Sequence, residues 1–242
     1  MNKKIAVVLL SVCIGGMQAQ SLKDKLKSAE TKVTGSNSKS GLSNDDIIAG
    51  LKEALSTGTN NSTASASKVD GYLKNPAIFI PFPPEAQKVK DELIKLGYKT
   101  KVDEFETSLN RAAEQAATSA APIFLDAVKN MTVTDGLSIL QGTDTAATHY
   151  LRQSTSAPLT GKYQPIVKDA LAKVNATAYW SEIITIYNKI PFVKKQNPDL
   201  EAYATSKALN GLFYLVGQEE AKIRKNPAAQ VTALLKKVFG SK

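Results

Sequence analysis

Residues 199–225 read DLEAYATSKALNGLFYLVGQEEAKIRK, and their reading decides the fold. Apolar residues recur there at three- and four-residue steps. Between Leu209 and Val216 they surround the helix almost completely, with Gly211 among them. A helix apolar on nearly every side is enclosed by others. This segment is therefore predicted to be the central helix of an all-α domain. Its end, with Glu219, Glu220 and Arg224, reads as a solvated helix terminus carrying an i, i+4 ion pair.

Helical patterns continue outward in both directions. Asn226 and Pro227 are suited to begin a last helix, AAQVTALLKKVF, ended by Gly240. On the other side, past the loop PFVKKQNPD, lie AYWSEIITIYNKI and YQPIVKDALAKVN, predicted as two helices. In a longer pattern from Lys101, Phe105, Leu109, Ala112, Ala113, Ala116, Ala117, Ala120, Ala121, Phe124, Leu125 and Val128 recur at three- and four-residue steps, an amphipathic helix with an alanine face. Alanine lets a neighbouring backbone approach closely, and Pro122 should kink this helix or divide it. A short helix is expected after Thr134 or Asp135, stopped by Gly142. Ser43 or Asn44 can cap a helix through IIAGLKEALSTG, with Asp45 and Asp46 favourable in its first turn. The polar stretch TNNSTASASKVDG fits either helix or loop. NPAIFIPFPPE holds four prolines and should run extended, anchored by Ile78, Ile80 and Phe82, until Pro84 opens AQKVKDELIKLG, stopped by Gly97. No run looks like two strands joined by a turn. The expectation is a single compact domain of about eight to ten helices over residues 43–242.

The beginning of the chain is of another kind. MNKKIAVVLLSVCIGGMQAQ has two lysines, an apolar run and small residues, the layout of a secretory signal peptide, expected over residues 1–19. The apolar run is shorter than the about 20 residues a permanent span needs. Cys13 is the sole cysteine. It is either removed with the signal or is a lipoprotein acceptor, a membrane anchor that Val12 just before it does not suit. Residues 20–42, QSLKDKLKSAETKVTGSNSKSGL, read as a flexible polar tether. The localisation expected is export to the periplasm, with no transmembrane segment in the mature chain. The formal charge is +9; without Lys3 and Lys4 it is 29 basic against 22 acidic residues, or +7. That charge can steer anionic lipid or cell-wall polymer toward the protein.

Reaction signatures are sparse. There is no phosphate-binding glycine loop, no nucleophile elbow and no H-E-x-x-H. One histidine and no mature cysteine exclude zinc sites built from those ligands, and no cofactor is implied. The histidine lies in GTDTAATHYLRQST, residues 142–155. On a helix capped by Thr143, with Asp144 at its positive end, Ala146, Ala147, Tyr150 and Leu151 fill one arc. Asp144, Thr148, Arg152 and Thr155 line its edge, and His149 lies on the far side, in solvent. The polar edge reads either as bonds fixing this helix to a neighbour or as a groove that takes a carboxylate or another anion on Arg152. A second cluster is Asn110, Arg111 and Glu114. Glu114 can pair with Arg111, or serve as a general acid in glycan cleavage. The aromatics keep core spacing and are not interleaved with basic residues, so no nucleic acid is expected as partner.

Several long stretches share a resemblance. DGYLKNPAIFIPFP, LNRAAEQA, PIFLDAVKNMTVTDGLSILQGTDTAATHYLRQST, residues 199–229 and LLKKVFG resemble, in order, the bacterial family catalogued as domain of unknown function 4197. The resemblance runs from about Gly41 to Gly240. It implies an exported, mostly helical bacterial protein and supplies no activity or catalytic residue. Three functions stay open. The first is a non-enzymatic module of the bacterial envelope that binds a partner or organises structure. The second is a carrier of an amphiphilic anionic ligand such as a lipid. The third is a carboxylate-based enzyme acting on cell-wall glycan, with Glu114 or Asp144 involved.

Overall fold

The computed structural model describes residues 42–132, 136–196 and 198–240. These residues form nine α-helices and two short 3-10 turns, with no strand among them. The signal peptide, Cys13, the tether up to Gly41 and the expected cap at Thr134 or Asp135 lie outside the described residues. Leu42, read above as the last tether residue, is buried in the core.

Helix α1 (Asn44–Ala66) opens on a capping box: the Ser43 hydroxyl accepts from the Asp46 amide, and the Asp46 carboxylate accepts from Ser43. The polar stretch that fitted helix or loop is helix as far as Ala66. Thr59, Ser62, Thr63 and Ala66 are buried along it, small enough for a neighbouring helix to come close. After a connecting segment comes the 3-10 turn Pro84–Ala86, then α2 (Gln87–Lys95), ended by Gly97 at φ 87°. The alanine-faced pattern is two helices, α3 (Lys99–Ala117) and α4 (Ala120–Asn130). The division falls just ahead of Pro122 because its ring excludes a helical carbonyl four residues earlier, at Thr118.

Helix α5 (Gly136–Gln141) is short, and α6 (Ala146–Lys173) is long. Two helices were expected where α6 runs unbroken through Pro158 and Pro165. Both prolines sit on its exposed side, and the carbonyls they free, at Ser154 and Gly161, belong to exposed residues that water can reach. Helix α7 (Ala176–Asn188) follows a left-handed Asn175. Helix α8 (Leu200–Lys225) is central, packing against α1, α3, α6 and α9. Only Asn210 and Tyr214 break its burial between Leu209 and Val216, with Leu215 half-buried. The last expected helix is shorter: Asn226 caps a 3-10 turn, Pro227–Ala229, and Thr232 caps α9 (Ala233–Phe239). No helix among the described residues is long and apolar enough to cross a membrane.

The segment between α1 and α2, expected to run extended from Asn75, instead turns there, the Ile78 and Phe79 amides both bonding the Asn75 carbonyl, and lacks such turns only from Phe79 to Pro81. Ile78, Ile80 and Phe82 are buried as expected. Phe82 packs edge-on to Phe105 at 5.2 Å, and Phe105 stacks on Trp180 of α7 at 4.9 Å. Tyr72 packs against α8 and donates to the Ala208 carbonyl at 2.7 Å. Gly211 makes that approach possible, since a Cβ there would stand 2.8 Å from the Tyr72 ring and 3.1 Å from Ile78.

Gly211→Val is therefore expected to lower stability by about 1–3 kcal/mol through overpacking. The measurement is the urea midpoint at unchanged slope. A second expectation concerns acid. Asp46 is lowered from 3.8 to about 2, chiefly by the Lys237 ammonium of α9 and then by Ser43. A depressed carboxylate stabilises above its unfolded pKa, and that contribution fades as pH falls through the folded value. The stability gap between the parent and Asp46→Asn should be full above pH 3.8 and close toward pH 2.

Candidate functional site

Helix α3 carries Glu106, Asn110 and Glu114 one turn apart on a single face, and that face meets the segment between α1 and α2. The Glu114 carboxylate accepts from the Tyr72 and Leu73 amides, both at 3.1 Å. Asn110 accepts from the Ile80 amide at 2.8 Å and donates to the Ile80 carbonyl at 2.9 Å, as a neighbouring strand would. Glu106 accepts from the Phe82 amide at 2.8 Å and from Lys90 of α2 at 2.6 Å. The segment thus runs antiparallel to α3, and side chains replace the partners that regular structure would provide. Arg111 completes this cluster, bonding Glu114 at 2.6 Å and Asp70 at 2.8 Å. These two acids raise the Arg111 pKa, Glu114 most. Asp70 sits at φ 69° at the turn into the segment.

A second buried glutamate does the same work at α6. Glu220 is fully buried and accepts from the Ala147 amide at 3.0 Å, the Thr148 amide at 2.7 Å and the Thr148 hydroxyl at 2.6 Å. It therefore caps α6, and negative charge at a helix N-terminus is favourable. Thr143, expected to be the cap, does not fill that role: α6 starts at Ala146 and no side chain of its own caps it. Arg224 bonds Glu220 at 2.7–2.8 Å and the last carbonyls of α5, Leu140 at 2.7 Å and Ile139 at 3.1 Å. The pair is not the solvated helix end expected. Glu220 sits in the buried row that Leu209, Phe213, Val216 and Ile223 mark on α8.

The remaining candidates separate. Asp144 precedes α6 and pairs with Lys225 at the surface. The Thr155 hydroxyl donates to the Leu151 carbonyl of its own helix, beside a cleft of about 340 Å³ walled by Ile123, Ala127, Met131 and Leu159. The Asp126–Lys162 pair, at 2.7 Å, stands at that cleft. Arg152 reaches neither Glu114 nor Asp126. Its guanidinium lies over the Phe213 ring, 4.7 Å from the centroid, and donates to the Asn210 side chain at 2.7 Å. No carboxylate pairs with it among the described residues, and partial burial lowers its pKa.

Arg152 lines an open cleft of about 310 Å³ with Thr145, Thr148, His149, Phe213, Tyr214 and Gln218. Of the sequence candidates, Thr148 and Arg152 meet here, and Asn110, Arg111 and Glu114 meet on α3. Exposed His149 joins the first group. Asn210, Phe213, Tyr214 and Gln218 were not singled out in the sequence. They share one side of α8 at three- and four-residue steps, a pattern that the strong apolar signal of the same helix obscures. Among the described residues no cluster of three or more histidine, cysteine or acidic side chains is placed to hold a metal ion.

Replacing Glu220 with Gln leaves Arg224 buried without its counter-charge, which is expected to cost about 3–5 kcal/mol. Asp103→Asn, which removes an exposed partner of Lys99, should leave the urea midpoint unchanged.

One protein family has a model that matches residues 41–240, and its description is Protein of unknown function (DUF4197). No curated protein and no solved structure matches the chain.

Proposed function

The chain belongs to this family of unknown function, and from that premise we propose that it is an exported, non-enzymatic module of the bacterial envelope that works by binding an anion-bearing partner at Arg152. The observation that carries this reading is the Arg152 guanidinium itself, stacked on Phe213 and fixed by neutral Asn210 at an open cleft. The guanidinium's two terminal nitrogens each donate one hydrogen to Asn210, at 2.7 and 3.5 Å, and the N–H groups left over are charged donors suited to carboxylate or phosphate oxygens. Thr145, His149 and Gln218 stand beside it and can supply further hydrogen bonds. Tyr214, about half exposed, adds an aromatic wall.

The buried acids favour binding over catalysis. Glu114 and Glu220 each accept from two consecutive backbone amides and from an arginine. A carboxylate committed in that way is a structural acceptor, and proton transfer from it would release the chain segment that it holds. The glycan-cleaving reading rested on Glu114 or Asp144; the first is held by two amides and an arginine, and the second pairs with Lys225 at the surface. Export rests on the signal-like residues 1–19 and on the family's implied character.

Phosphate and acetate titrations, followed by the NMR signals of the Arg152 side chain and of the α6 amides near Thr148, test the reading. The expected result is saturable shifts confined to the cleft, weakened about tenfold or more in Arg152→Gln, since a charge-assisted hydrogen bond contributes about 1.5–3 kcal/mol. Shifts that are identical in the variant, or absent around Arg152, would overturn it.

A further inference from the structure

The loop leaving α7, KIPFVKK at residues 189–195, shows an aromatic side chain that the core does not use. Phe192 is fully exposed, at 107% of its reference area. Its backbone lies at φ 66°, the left-handed region that residues other than glycine adopt at a cost. The base of the loop is nevertheless firm. The Asn188 side chain accepts from the Gln196 amide at 2.9 Å and donates to the Gln196 carbonyl at 3.1 Å. Ile190 and Val193, on either side of the tip, pack partly against the core. The neighbours of Phe192 are thus anchored inward while its ring is turned outward.

Charge along the loop is of one sign. Lys189, Lys194 and Lys195 are exposed, and none forms an ion pair among the described residues. No aspartate or glutamate occurs between Glu182 and Asp199. An isolated exposed apolar residue is ordinary on a protein surface. An aromatic tip on a closed loop, on strained backbone and flanked along the chain by three exposed, unpaired lysines, is a different arrangement. Aromatic rings settle at the boundary between headgroups and acyl chains, and lysines beside them meet lipid phosphates.

We propose that the 189–195 loop docks this protein on an anionic phospholipid surface, with Phe192 entering the headgroup boundary and Lys189, Lys194 and Lys195 facing the phosphates. A soluble polyanion would engage the lysines and leave the ring idle. An apolar pocket on another protein would engage the ring and gain nothing from three uncompensated cations. A charged planar surface with an apolar interior uses both. The loop stands apart in sequence from the residues of the Arg152 cleft, so the two proposals succeed or fail separately.

The test is co-sedimentation of the full chain with vesicles of phosphatidylcholine, alone or mixed with phosphatidylglycerol. The N-terminal apolar run is common to all variants, so differences between them report the loop. Phe192→Ser is expected to lower partition onto the anionic vesicles about tenfold, from loss of aromatic burial. The double variant Lys194→Glu, Lys195→Glu should lower it about tenfold or more, and added salt should weaken the parent. Phe192→Trp should retain binding, and its emission should shift to the blue on anionic vesicles. Matching thermal unfolding of all forms shows that the fold is kept. Equal partition of Phe192→Ser and the parent would overturn the proposal, even if the lysine variant were weakened. So would an unshifted Phe192→Trp emission on vesicles that the protein has bound.

Discussion

A backbone amide withdrawn from water needs an acceptor, and leaving it without one costs about 1–3 kcal/mol. Most of this chain meets that requirement inside helices. Among the described residues, two places rely on a buried glutamate instead: the irregular segment between α1 and the first 3-10 turn, and the first turn of α6. In both, a buried glutamate accepts from two consecutive amides, Tyr72 and Leu73 for Glu114, Ala147 and Thr148 for Glu220. In both, an arginine on the same helix balances the charge and reaches a further acceptor. Arg111 reaches Asp70, and Arg224 reaches the last carbonyls of α5. One device, used twice, ties chain segments 41 to 85 residues apart to α3 and α8.

The Arg152 cleft depends on the second of these locks. Glu220 fixes where α6 begins, and every later residue of α6 follows from that start at 100° per residue. Thr148 is held directly, by amide and hydroxyl. One turn on, Arg152 falls beside Phe213 and Asn210 of α8. Gly217 keeps the crossing close, with Thr145 placed 3.3 Å from where its Cβ would stand. A buried carboxylate on one helix thus determines which aromatic ring an arginine on another can cover.

Periodicity made the fold class legible. The apolar arc of residues 209–216 and the alanine face of α3 act locally, and the structure follows both; the prolines of 76–84 keep their segment out of helix as read, though it turns on the Asn75 carbonyl before Phe79. Two kinds of feature were not legible, for two physical reasons. Residues 143–155 and YQPIVKDALAKVN read as two helices, yet α6 runs unbroken because the carbonyls that Pro158 and Pro165 free lie at exposed residues, and exposure is a property of the assembled fold. Thr143 read as a cap because capping preferences are local, whereas the actual acceptor comes from Glu220, more than seventy residues away. Asn110, Arg111 and Glu114 were recognisable as one cluster at helical spacing. That Asn110 and Glu114 meet backbone atoms of residues 72–80 was not, since backbone groups carry no signature in sequence.

The same reasoning separates the acids of the core from ordinary buried ion pairs. An ordinary pair can often be replaced by apolar residues of similar volume with no loss, because both charges leave together. Glu114 and Glu220 do not allow that exchange. Removing both members of either pair would still leave two amides without an acceptor, in places where no other secondary structure can supply one. These carboxylates are therefore required by the path of the backbone, whatever the protein binds. Charge available for recognition has to come from groups outside that requirement, and Arg152 on its aromatic ring and the lysines of the Phe192 loop are groups of that kind.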